Sequence, residues 1–155
     1  MEFGIRLSAT VRHCGKLLKE RSVQAGVPLE TIPIELHRSV DAETRSYAKD
    51  PNGILVIEGR YLDVVLFGIP WVKLLRLTCD EVTRQLRWET RRAISALAPE
   101  SVLQRDQEDE TIKYKLYGRR FTAMGDWMIL NTSDRSPKEL ASIVLDRLHK
   151  EGSDD

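Results

Sequence analysis

The sequence predicts an α/β fold, an open and mostly parallel sheet with helices on both faces. Three observations carry that expectation. Strands are expected at 54–57, 72–77 and 127–130, and the first of these lacks the alternation of a half-exposed strand. Helical spacing separates them, and no tight hairpin turn joins any two. At 155 residues the chain fits one domain, expected over 1–150 with a disordered tail at 151–155.

The elements follow in order. Residues 3–8 alternate weakly and predict a short strand. From Thr10 to about Ala25, the spacing of Val11, Cys14, Leu17 and Leu18 predicts a helix, which Gly26, Pro28 and Pro33 end. A second helix is expected from about Leu36 to Lys49, before the turn Asp50-Pro51-Asn52-Gly53. Ile54 to Ile57 then read as a strand buried on both faces, running into Glu58-Gly59-Arg60. The stretch 61–69 predicts a short helix or loop, and its apolar strip Val64 to Phe67, with Ile69 and Trp71, reads as core. After the strand at 72–77, Asp80 is the expected N-cap of a helix from Glu81 to about Leu97. A polar helix is expected at about 101–116. The last strand, at 127–130, leads into Asn131-Thr132. Ser136, Pro137 and Glu139 form a capping box with proline in the first turn, opening a helix to about His149.

Composition excludes several classes of function. Lys+Arg and Asp+Glu balance at 24 each, which indicates neither a nucleic-acid binder nor an acidic tail. No apolar run is long enough to span a bilayer, and no signal-peptide core opens the chain, so a cytoplasmic location away from membranes is expected. Cys14 and Cys79 are far apart and read as reduced thiols. His13-Cys14 lacks metal-ligand spacing, and no metal site is expected. No nucleophile signature supports hydrolase chemistry.

Glu58-Gly59-Arg60 is the leading candidate site, because the carboxyl edge of a parallel sheet is where α/β ligands bind and glycine permits close backbone approach. Arg84, Arg87 and Arg91 share a helix face and read either as a cationic wall for phosphates or as a solvated face balanced by Asp80, Glu81 and Glu89. Asp106, Glu108, Asp109 and Glu110 read as a solvated acidic face.

Several segments, in order, resemble the cytidylate kinase-like nucleoside monophosphate kinases. Ile54 to Arg60 resembles that family's strand ending in Glu-Gly-Arg, and Arg105 to Gly118 resembles its lid. Asp126 to Thr132 resembles its final strand, and Ser8-Ala9 followed by Lys16 to Arg21 is similar to the segment after its first helix. The resemblance implies that Arg60 meets an acceptor-nucleotide phosphate, with Glu58 and Gly59 beside the nucleotide. It makes Arg12 a phosphate contact and places Arg38 and Asp41 in an acceptor-binding flap. Arg105 and Lys113 would be catalytic lid cations. Two departures qualify it. The Gly-x-x-x-x-Gly-Lys-Ser/Thr loop is missing, since Gly15-Lys16 has Thr10 and Leu17 at the other motif positions. Ile112 or Lys113 stands near the place of the second lid arginine.

The resulting expectation is a degenerate, P-loop-less kinase fold that binds a nucleoside monophosphate or a protein partner without kinase activity. A homodimer would cover the open centre of the sheet. The alternative is ATP-dependent phosphorylation of CMP or dCMP, with ATP and Mg²⁺ as cofactors only if an upstream segment supplies the loop.

Overall fold

The computed structural model describes residues 9–28, 31–92, 101–118 and 124–151. Its strands are β1 (Thr10–His13), β2 (Leu55–Glu58), β3 (Leu75–Thr78) and β4 (Met128–Asn131). The helices are α1 (Cys14–Gln24), α2 (Ile34–Lys49), α3 (Leu62–Val65), α4 (Glu81–Arg92), α5 (Val102–Tyr117) and α6 (Pro137–Glu151).

The single open sheet is not what forms. β1 pairs in parallel with β2, and β3 in parallel with β4, as two separate two-stranded sheets. Each pair is joined by a crossover of two helices, so the described chain reads as two β-α-α-β units, with α3 between them and α6 at the end. The division arises immediately after β2. Tyr61 adopts a left-handed conformation, φ 61°, and turns the chain into α3. Val65, Leu66 and Ile69 from this turn are buried with Ala48 of α2, and Ile57, Tyr61, Leu62 and Val72 pack around them. The apolar strip is therefore partly core, while Phe67 and Trp71 are exposed. The double-sided burial expected of 54–57 is also absent: Ile54 is exposed and β2 is only half-buried.

Local signals explain most element boundaries. The first helix begins at Cys14 rather than Thr10, because Thr10 to His13 pair with Leu55 to Glu58 and the Thr10 amide donates to the Ile54 carbonyl at 3.0 Å. In α2, His37, Val40, Thr44 and Ala48 are buried at helical spacing, so a single face supplies the packing. Asp80 caps α4 by accepting the Thr83 amide at 2.8 Å, and Ser101 caps α5 by accepting the Gln104 amide at 3.1 Å. The capping box of α6 forms as expected: the Ser136 amide donates to Glu139 at 2.7 Å and the Glu139 amide donates back to the Ser136 hydroxyl at 3.3 Å. That helix runs through Glu151, which removes one residue from the expected tail. The strand expected at 3–8, the end of the helix expected to reach Leu97 and the rest of the tail lie outside the described residues.

Leu66 is 3 % exposed and Phe67 is 41 % exposed, one residue apart. Leu66→Ala should cost about 2–5 kcal/mol in chemical denaturation through the cavity it leaves. Phe67→Ala should cost under about 1 kcal/mol. Equal losses would show that the strip does not divide into core and surface.

Candidate functional site: an arginine-walled cavity

The carboxyl ends of β3 and β4 open onto a cavity of about 540 Å³, within the range of small-molecule sites. Arg76, Leu77, Thr78 and Cys79 reach it from β3 and its end, and Thr132 from the end of β4. α4 contributes Arg84, Arg87, Trp88 and Arg91, and α5 contributes Val102 and Arg105. Five arginines thus face one space, and among the described residues no carboxylate-bearing one lines it.

Each position has a local cause. The Asp80 cap fixes the start of α4, and hydrogen bonds from Ser133 and Thr83 hold the Asp80 carboxyl down to about 2. With α4 fixed there, Arg84, Trp88 and Arg91 recur at i, i+4 and i+7 on the cavity side. Arg87 is tied to the strand end: it donates to the Thr132 hydroxyl at 2.9 Å and to the Thr132 carbonyl at 2.6 Å. The Thr132 hydroxyl in turn donates to the Thr78 carbonyl at 3.0 Å, closing a bridge across both strands. Arg76 donates to both carboxylate oxygens of Asp126, at 2.9 and 2.8 Å. Arg84 is in an ion pair with Asp106, and Arg105 lies 3.5 Å from Asp109. Among the described residues, Arg91 has no carboxylate partner.

The residues expected to form the site are distributed differently. At the end of β2, the Glu58 side chain is 74 % exposed and its carboxylate lies 2.6 Å from His13 Nδ1. A Cβ on Gly59 would meet the Cβ and Sγ of Cys14 at 3.0 Å, so the close approach that glycine permits is to Cys14. Arg60 is paired with Asp109 and lies over the Tyr61 ring, 5.7 Å from its centroid. Arg12 is held by Glu43 at 2.5 Å, and its guanidinium lies over Tyr47 at 4.2 Å. Lys113 sits 4.0 Å from Asp63 and does not line the cavity. Of the six expected site residues only Arg105 reaches it, joining the arginine face of α4. The sequence does not single out Arg76, Thr78, Trp88 or Thr132 as site residues. The one legible signal is Trp88, midway between Arg84 and Arg91 on one helix face.

No protein-family model, curated protein or solved structure matches the chain. With two separate sheets in place of one, the resemblance to cytidylate kinase-like kinases finds no support, and the P-loop kinase fold it implied is set aside. Gly15-Lys16 offers no phosphate cradle either. β1 ends at His13 and α1 begins at Cys14, so no loop separates strand from helix. Among the described residues no group of three or more His, Cys, Asp or Glu is placed to hold a metal. No helix there is long and apolar enough to cross a membrane.

Away from the cavity lining, a polar cluster joins α2 to α5. The Tyr117 hydroxyl donates to Asp41, and the Tyr61 hydroxyl donates to the Asp109 carbonyl at 2.6 Å. Burial pushes the Asp41 carboxyl above its ordinary value of 3.8, against the lowering effects of Tyr117 and Arg60. A carboxyl raised in the folded state binds more protons there, so stability falls as pH rises from the unfolded value through the folded one. Asp41→Asn keeps an acceptor for Tyr117 and removes the charge. It should melt above the wild type at pH 7, with the gap closing as pH falls towards about 4. A lower melting point at pH 7 would overturn this assignment.

Proposed function

We propose that this chain binds a phosphorylated small molecule, of the nucleotide class, in the arginine-walled cavity at the carboxyl edge of β3 and β4. The observation that carries the reading is the convergence of five arginines on one space without a lining carboxylate among the described residues. A guanidinium fork matches phosphate oxygens bidentately, which a lysine cannot do. Trp88 adds an aromatic surface suited to a base, and the hydroxyls of Thr78 and Thr132 add polar groups suited to a sugar or phosphate. The position agrees with the general location of ligands in parallel α/β structures. The reading is one of binding: the lining arginines and hydroxyls account for holding an anion, and no reaction is assigned to them.

Calorimetry with pyrophosphate, ADP and CMP tests the proposal. At least one should bind, and Arg91→Ala should weaken it about tenfold, the scale of one hydrogen bond to a charged group. The melting temperature should stay nearly unchanged, because Arg91 is exposed and outside the buried core. Affinity should also fall with added salt, as expected where cations meet phosphates. If none of the three ligands gives heat, either with the wild type or with Asp106→Asn, which frees Arg84, the reading fails.

Self-association is a second reading with its own observation. Ile129, on β4 of the two-stranded β3–β4 sheet, is 59 % exposed. Light scattering should then report a dimer that Ile129→Lys dissociates; a wild-type monomer would remove this reading.

A further inference from the structure

The chain's own carboxylates already occupy arginines that a ligand would need. Arg84 is paired with Asp106, and Arg105 with Asp109, both partners lying on α5. The same Asp109 oxygen also accepts from Arg60, outside the cavity. Arg76 is engaged by Asp126, and Arg87 by Thr132 and its carbonyl. Arg91 therefore faces the cavity with no carboxylate of the described residues on it, and a ligand carrying two phosphates must recruit Arg84 or Arg105 as well.

Resting on the binding reading above, we propose that Asp106 and Asp109 act as built-in competitors, so that anion binding and the seating of the first half of α5 oppose each other. Three features of the structure support this. The Arg84 and Asp106 side chains are 46 % and 44 % exposed, and ion pairs this open are weak enough for a phosphate to displace. No residue of α5 is fully buried, and Tyr117, which packs against the buried cluster, stands at its far end, so breaking the pairs near its start opens no core. Its second half has separate anchors, Tyr117 on Asp41 and Lys113 near Asp63, which hold the helix while residues near its start give way. The competition sets a threshold: a singly charged ligand gains little over the resident carboxylate, whereas a di- or triphosphate gains several guanidinium contacts at once.

Pyrophosphate titration of the full chain tests this, comparing wild type, Asp106→Asn and Glu110→Gln. Glu110 is on the same helix and exposed, so the two substitutions change net charge equally while only the first frees a cavity arginine. Asp106→Asn should bind about threefold or more tighter than wild type, the scale of a weak surface pair, with Glu110→Gln unchanged. Hydrogen exchange gives the second readout: saturating pyrophosphate should speed exchange in residues 102–109 of the wild type more than in 110–117. Binding by Asp106→Asn alone, with none by the wild type, would also support competition. Equal affinities for the two variants would overturn it while leaving the cavity assignment intact, provided that Arg91→Ala still weakens binding. No binding by any of the three proteins would overturn both.

Discussion

Asp109 is the contact on which the arrangement of the two halves turns. Its carboxylate meets Arg60 from the end of β2 and Arg105 from one turn earlier on α5, while its carbonyl accepts the Tyr61 hydroxyl. Three turns of the same helix thus reach into different parts of the molecule: Asp106 to α4, Asp109 to the β1–β2 unit, and Lys113 to Asp63. No side chain of α5 is fully buried, and apart from Tyr117, which packs against the buried cluster and edge-on to Tyr61, this bridging is polar. Such a bridge is weaker and more sensitive to charge than a packed core. It also sets the composition of the cavity wall, because the helix that joins the halves delivers Arg105.

The two parallel sheets differ in what they place at their carboxyl edges. At β1–β2 the arginines meet counter-charges close by, Arg12 with Glu43 and Arg60 with Asp109, and the Glu58 carboxylate lies beside His13 Nδ1. Arg21 shares Glu43 with Arg12, which ties α1 to α2. That edge reads as a closed electrostatic network serving the fold. At β3–β4 the arginines outnumber the described carboxylates that reach them, and those carboxylates do not line the cavity. Excess positive charge around one concavity costs free energy through self-repulsion, and an anion relieves it.

Much of the local structure is legible in the sequence, because local structure has local causes. The caps at Asp80, Ser101 and Ser136 satisfy amides within three residues of themselves. The break at Asp50 to Gly53 that ends α2 is an equally short-range signal. The strand partners are not legible. A four-residue apolar run identifies a strand but not its neighbour, and Thr10 to His13 fit a helical pattern as well as a strand. Only the ladder to Leu55–Glu58, more than forty positions away, decides between them. The left-handed Tyr61 that diverts the chain after β2 carries no sequence signal, since glycine or asparagine is the usual residue there.

The displacement of the candidate site from one sheet to the other has the same origin. Glu58, Gly59 and Arg60 look like a ligand edge because glycine and opposed charges cluster there, but the sequence does not reveal that Cys14 fills the glycine's clearance or that Asp109 takes the arginine. For Arg84, Arg87 and Arg91 the sequence leaves open a solvated face or a cationic wall. The choice turns on residues far away: Arg76 one strand earlier, Arg105 on the next helix and Thr132 after β4. An arginine stripe balanced by its own helix's acids is ordinary surface, whereas the same stripe facing two further arginines and a strand end is a concentrated positive field. Asp80, Glu81 and Glu89, the acids expected to balance the stripe, do not line the cavity, whereas Arg76 and Arg105 do. The balance seen along the sequence is therefore not the balance that the folded chain presents to a ligand.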